Sequence, residues 1–325
     1  MTRKYSVFLG NVGTCSDRYC ASYAKPFGTA ELFERAASIE LLGGVDLVAT
    51  PDLLENIDTV KQCVKDTGLK IVSVAVDHFT QAKWGKGSFS SIDSSIRKEA
   101  INATREVMDL AAELDCDLIT IWPGQDGYDY IFQADYMQER DWFAQGVKEA
   151  CQYRDDIEIT LEYKLKEPRT HSYVNTVGTT ILLVQEINEK NCRVALDYGH
   201  ALLAYENPAE SAVLLNKYGN LLSHIHINDN YRYWDDDMIV GSIHTIEYLE
   251  FFYWLRRLKY NGWMTIDQFP YREDGRDAVE ESAKWMDALE TMLDNFDMNE
   301  IEDVIKRKDA VAASRMTREI LLNKQ

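Results

Sequence analysis

Short apolar, β-rich runs alternate with longer segments of helical period along the whole chain. The runs fall at 5–9, 46–49, 70–76, 117–122, 157–163, 193–196, 222–227 and 263–266, the second being weak by itself. Segments of helical composition lie between them, such as 94–114 and 246–258. In the latter, Ile246, Leu249, Tyr253 and Leu258 recur at roughly helical spacing. No Gly/Ser/Pro-rich linker divides the chain, which has only six prolines. Eight strand–helix units in one undivided domain predict an α/β fold, a (β/α)8 TIM barrel over residues 1–297, for which about 250 residues is typical. The surplus, 298–325, is a C-terminal helical tail whose charged, Ala/Leu/Ile-containing core is 299–323. It either packs on a second copy, making a homo-oligomer, or folds back on its own barrel, and both stay open. A doubly wound open sheet is the alternative architecture. No Gly-x-Gly-x-x-Gly follows an early run, however, and polar clusters close the third to eighth runs. A barrel gathers all such ends around one mouth, whereas an open sheet spreads them along an edge.

Those polar run ends carry the chemistry. Glu162 closes the fifth run, Asp197 the sixth, His226 the seventh and Asp267 the eighth. One side chain from each of four adjacent strands can converge on one cation, and this donor set suits Mn, Co, Mg or Zn. Three residues after Asp197 comes His200. With Asp235 and Asp237, and with Asp197 as a bridge, it offers a second set of ligands of the kind used in two-metal sites. Each residue alone has a plainer reading: a strand-end Glu as a helix cap, the acidic triplet 235–237 as a solvated loop. The coincidence of four strand ends in order makes the metal reading the stronger. His224, two residues before His226, reads as a support for the ligands or a satisfied core histidine.

Charge and cysteines narrow the class. A net charge of −19 repels phosphate backbones, so nucleic acid is excluded as a partner. The six cysteines are scattered with no Cys-x-x-Cys pair, as for reduced thiols. The first residues lack an apolar signal core and no stretch approaches a membrane span, so the expectation is a cytoplasmic protein.

The motifs resemble those of the xylose isomerase superfamily. Glu162-Tyr-Lys164-Leu-Lys-Glu167-Pro168 fits the family's Glu-x-Lys-x-x-Glu-Pro, and Trp122-Pro-Gly124-Gln-Asp-Gly127 resembles its Trp-Gly-Gly-Arg-Glu-Gly type motif. His78, then residues 85–90, then Ser91-Ile-Asp93-Ser-Ser-Ile-Arg97 match its histidine, Gly-rich turn and Ser-x-Asp-x-x-x-Arg. His224-x-His226-x-Asn228, then Asp235-x-Asp237, follows its His-x-Asp-x-Asn and Asp-x-Asp, with His in place of Asp at 226. That change, with Asp rather than Glu at 197, resembles the Glu/Asp/His/Asp set of the related rhamnose isomerases. The likeness runs from about residue 78 to 277.

The resemblance implies a divalent-metal-dependent aldose–ketose isomerase working by hydride shift on a small sugar. One or two ions are expected, manganese first, with magnesium, cobalt or zinc as alternatives. Glu162, Asp197, His226 and Asp267 would hold the first, and His200, Asp235 and Asp237 the second, where Asp237 and Glu162 also share in catalysis. Lys164 is expected to donate to the sugar carbonyl, His78 to open the ring as acid/base, and Trp122, with Lys164 and His200, to bind the sugar. Tyr128, Tyr130, Trp84 and Tyr233 are candidates for selecting it. The rivals are a one-metal ketose 3-epimerase, a C-glycoside-cleaving lyase subunit needing a partner chain, and a sugar-binding barrel without catalysis. A three-zinc nuclease would want more than six histidines and a basic face.

Overall fold

The computed structural model describes residues 4–322, so residues 1–3 of the barrel span and 323–325 of the tail lie outside the described residues. Eight parallel strands close into a barrel: β1 (Tyr5–Phe8), β2 (Leu42–Val48), β3 (Lys70–Ala75), β4 (Leu118–Ile121), β6 (Glu158–Glu162), β9 (Cys192–Asp197), β10 (Leu222–Ile227) and β11 (Met264–Ile266). β11 pairs with both β10 and β1, which completes the circle. The predicted TIM barrel is the fold of the chain. Three short strands form a separate antiparallel sheet that the period did not predict: β5 (Gly127–Tyr128), β7 (Lys166–Glu167) and β8 (Thr170–Ser172). It joins the loop after β4 to the loop after β6. Strands of two or three residues leave no alternation to read.

Helices α1 (Thr29–Ala37), α2 (Pro51–Glu55), α3 (Ile57–Thr67), α4 (Ser94–Glu113), α5 (Tyr136–Cys151) and α6 (Val177–Ile187) cover the first half of the barrel. The second half is covered by α7 (Tyr198–Leu203), α8 (Pro208–Lys217), α9 (Thr245–Arg257) and α10 (Gly275–Asp294). Many begin on an acid or amide that accepts from the first turn, among them Asp93, Asp135, Asn207 and Asp274. The expected single tail helix is two: α11 (Met298–Arg307) and α12 (Ala310–Leu321). Lys308 turns left-handed (φ 52°) and Asp309 caps the second helix, so the chain reverses there. Ile301, Val304 and Ile320 are buried, the first and last within the main hydrophobic core. Those tail side chains fold back on their own barrel.

β2 begins four residues before the run that predicted it. Its Gly43-Gly44 pair has no side chain to signal a strand, yet a Cβ on Gly44 would lie 2.5 Å from the Val72 side chain and 2.9 Å from the Lys70 carbonyl. Strand crowding, not a turn, requires that glycine.

The barrel interior is unusually polar. Ser6 bonds Thr265 (2.7 Å), Thr265 donates to Asp46 (2.8 Å), and Asp46 meets His224 Nε2 (2.9 Å). Across the barrel, Ser73, Thr120 and Thr160 are linked at 2.8 and 3.0 Å. All are buried, and each finds a partner, as burial of polar groups demands. Above this layer Asp126 draws two mouth loops together, accepting from Ser88 N (2.9 Å), Ser90 N (2.8 Å) and both serine hydroxyls.

On the outside, the buried Glu290 of α10 takes the Arg256 guanidinium of α9, with Nε at 3.0 Å. Replacing Arg256 by Met should leave that carboxylate buried without its cation and cost about 3 kcal/mol of stability, read by urea unfolding. A cost below about 1 kcal/mol would show the pair to be incidental.

Candidate active site

The barrel brings its predicted strand-end residues together. Glu162 ends β6, Asp197 ends β9, His226 is one residue short of the end of β10, and Asp267 directly follows β11. One donor atom from each lies within 4.8 Å of the other three. Glu162, Asp197 and His226 are buried and Asp267 is partly so. His226 Nδ1 is 3.1 Å from Glu162 Oε1 and 3.9 Å from Asp267 Oδ2. Neither ring nitrogen of His226 makes a hydrogen bond, although both are buried. A ring nitrogen facing carboxylate oxygens without bonding them fits a cation shared among all four, so the buried acid–histidine cluster could hold a metal ion.

Amides hold the carboxylates in place. Asn228 Nδ2 donates to Asp197 Oδ2 (3.1 Å), and Asn11 Nδ2 to Asp267 Oδ1 (3.2 Å). Asp197 also accepts from His200 N (2.7 Å), capping α7. A Cβ at Gly199 would overlap Asn228 Oδ1 at 1.9 Å, so only glycine lets α7 start this close to β10. Asn11 is a site residue that the sequence reading missed. Its signal was available: the first strand, like the others, runs into a polar side chain just past its end. Asp46 was missed as well. It forms a second close group with His224 and His226, its Oδ2 4.0 Å from His226 Nε2, and a lone acid inside Val-Asp-Leu-Val was the clue. His224 itself supports the ligands through Asp46 and stands apart from the cluster of four.

The second expected ligand set is placed differently. His200 Nε2 is 3.1 Å from Asp235 Oδ2, and its Nδ1 lies 3.3 Å from Glu162 Oε1. Lys164 Nζ sits 2.6 Å from the same Asp235 oxygen and also pairs with Glu167. The ammonium therefore engages the Asp235 oxygen that a second cation would also draw on. His200, Asp235 and Asp237 do not draw together as a compact ligand group among the described residues. Trp122 flanks Lys164, with Nζ 5.2 Å from the ring centroid.

A cavity of about 1500 Å³ has Trp122, Glu167 and Asp235, the neighbours of Lys164, and Asp237 in its lining. His78 does not line it. That ring is 1% exposed, packed edge-on to Trp84 and Phe89, with Nε2 3.2 Å from the Ala100 carbonyl. Burial lowers its pKa to about 4, which keeps it neutral. A ring-opening role loses its footing there. Trp84 is core beside it, and a selector of the sugar it is not. Tyr128 stacks on His171 at 5.1 Å, while Tyr130 and Tyr233 are exposed and stand outside the cavity wall.

Electrostatics follow from crowding acids in a dry place. Burial pushes Asp267 up to about 7, and raises Asp197 and, with Asp235 beside it, Asp237. Burial also opposes charge on Glu162 and Asp235, yet both are held below the ordinary range, Glu162 by His226 and Asp235 by Lys164 and His200. Against burial, the acids raise His226 to about 10 and His200 to about 9.

A model of the xylose isomerase-like TIM barrel matches residues 33–289. The chain belongs to that family. Xylose isomerase-like relatives include the xylose isomerase of Thermus thermophilus, 28% identical over 189 residues, 56% of this chain and 48% of that protein. The xylose isomerase of Paraburkholderia xenovorans is 27% identical over 224 residues, 66% and 49% of the two chains. This chain thus spans about half the length of the curated relatives it matches. Among solved structures, a D-tagatose 3-epimerase-like protein superposes with TM-score 0.70 at 21% identity, covering 89% of this chain and 99% of the other. The 3-keto-D-glucoside 4-epimerase of E. coli gives 0.67 at 18%, covering 88% and 99%. These likenesses share the fold. No helix among the described residues is long and apolar enough to cross a membrane.

A pH test follows for the metal-free protein. His200 and His226 titrate above their unfolded value near 6.5, so the stability they add is complete below pH 6.5 and is lost as pH rises through 9 and 10. Asp267, raised to about 7, works in the same direction between about pH 4 and 7. The urea midpoint should fall from pH 6.5 to 9.5 in chelator, and added manganese should restore more at pH 8 than at pH 6, since ligands bind deprotonated. A flat profile that manganese leaves unmoved would remove the metal reading.

Proposed function

We propose that the chain is a divalent-metal-dependent aldose–ketose sugar isomerase, with manganese first among the suitable ions and magnesium, cobalt and zinc next. Lys164 carries the reading. Its buried ammonium, set between Asp235 and the Trp122 ring beside the acid–histidine cluster, is a ready donor to an oxygen that changes from carbonyl to hydroxyl. When held by Glu162, Asp197, His226 and Asp267, a divalent ion supplies Lewis-acid stabilisation of negative charge on two sugar oxygens.

The chain's own groups supply the rest. Lys164 Nζ donates to O1 of the open-chain aldose and orients C1. Trp122 walls the apolar face of the sugar and excludes water. Asp237, whose proton affinity burial and Asp235 raise, accepts the O2 proton and returns it to O1. Hydrogen leaves C2 with its electron pair and arrives at C1, so the aldehyde is reduced as the C2 alcohol is oxidised. His200, bonded to Asp235, fixes that carboxylate beside Lys164. A second ion on His200, Asp235 and Asp237 would require Lys164 to release Asp235.

One observation favours a second reading, a one-metal ketose 3-epimerase: the Glu162–Asp197–His226–Asp267 set alone assembles at these strand ends. Against it, Gln268, next to Asp267, is buried and accepts from Ser282, so it offers no second acid–base group.

Chelator-stripped, manganese-restored protein should interconvert an aldose and its ketose in a panel of pentoses, hexoses and 6-deoxyhexoses, with no solvent deuterium entering carbon. Deuterium at carbon, or ketose-to-ketose conversion, would replace this reading by the epimerase one. Lys164→Met should lower kcat about 100-fold or more with a smaller change in KM. An unchanged kcat would take Lys164 out of the chemistry.

A further inference from the structure

The cavity lined by Trp122, Glu167, Asp235 and Asp237 is larger than one sugar ring needs. Its volume is about 1500 Å³, whereas sites for drug-sized ligands usually measure about 300–1,000 Å³. Its aromatic lining consists of Trp122, Trp234, Tyr19 and Tyr271. Trp122 stands at the floor beside Lys164. Trp234, 42% exposed, lines the wall together with Tyr19, 88% exposed, and Ile92, 80% exposed. Large apolar side chains left to solvent around a polar cavity mark a surface that a ligand covers.

Charge decides what kind of ligand. Four cationic side chains line the cavity, Arg18, Lys86, Arg169 and Arg272, against six carboxylates among the described residues. Two of the four are already tied, Arg169 to Asp129 at 3.0 Å and Arg272 to Asp17 at 3.1 Å. The whole chain carries −19. Six carboxylates against four cations, two of them tied, disfavour a phosphate or carboxylate on the sugar. A neutral polyol, whose C–H face lies against an aromatic ring while its hydroxyls meet the carboxylates, suits it.

The reaction fixes the direction. With C1 and C2 at Lys164, the rest of the sugar extends into the cavity that Trp234, next in sequence to the Asp235 that Lys164 meets, and Tyr19 both line. We propose that the outer half of the cavity is a second sugar subsite, and that the substrate is a neutral reducing disaccharide. Its reducing-end ring reacts at the floor and its next ring lies on Trp234 and Tyr19. This rests on the aldose–ketose reading above.

The test pairs monosaccharides with reducing disaccharides that carry them at the reducing end: D-glucose with maltose and cellobiose, D-xylose with xylobiose. Binding to manganese-restored protein is measured by calorimetry and turnover by ketose formation. At least one disaccharide should bind about tenfold tighter than its monosaccharide. Trp234→Ala should bring that ratio of Kd values to within about twofold, and Trp234→Phe should retain most of it. Disaccharides that bind no tighter than monosaccharides, or not at all, overturn the subsite, as does tighter binding of glucose 6-phosphate than of any disaccharide. Tight disaccharide binding without ketose formation keeps the subsite and removes the isomerase reading, so the two failures are distinct.

Discussion

Crowding of carboxylates at the C-terminal mouth is the constraint on which the rest of this molecule depends. Glu162, Asp197 and Asp235 are buried and Asp237 and Asp267 partly so, all at the ends of three strands or on the loop beside them. Two like charges 4 Å apart repel by about 4 kcal/mol at the effective dielectric near a protein surface, and by more where it is drier. Five cannot stay ionised together without positive charge between them. His226, His200 and Lys164 provide it, each drawn to an acid against the penalty of its own burial. The same arrangement is primed for a divalent ion, which can replace the protons on the histidines.

Around that charge cluster, neutral donors set geometry. Asn11 and Asn228 each hold one carboxylate, and Asp46 with His224 backs His226 from inside the barrel. These groups come from strands far apart in the chain, so the site is as rigid as the closed sheet that carries them. The polar layer of Ser6, Asp46, Ser73, Thr120, Thr160 and Thr265 continues that network toward the opposite end. A hydrocarbon filling there would pack as well, but it would leave His226 with no polar group behind it.

The mouth loops do a different job. The small sheet of β5, β7 and β8 and the serine bonds to Asp126 make the wall opposite the acidic loop. In such a barrel the strand ends supply the cluster and the loops choose what reaches it. That division explains why the fold is shared at low identity. It also explains why a substrate must be argued from Trp122, Trp234 and Lys164 in this chain.

Much of this was written in local patterns. Short apolar, β-rich runs separated by amphipathic segments determined the barrel, and acids or histidine at four successive strand ends determined the cluster, because a closed parallel sheet puts all such ends on one side. Sequence also held the glycine and cap positions that let the chain fold so. Only tertiary structure decided pairing across the barrel. His78 and Trp84 carry a suggestive motif, yet helix α4 and Phe89 enclose them in the core. Asp235 and His200 read as ion ligands, yet Lys164, just past β6 and two strands from β10 in the barrel, reaches the same oxygen. Asn11 and Asp46 looked incidental in a linear reading, and the barrel's closure set them against Asp267 and His226. Which donor meets which acid depends on distances between strands, and no local pattern encodes those.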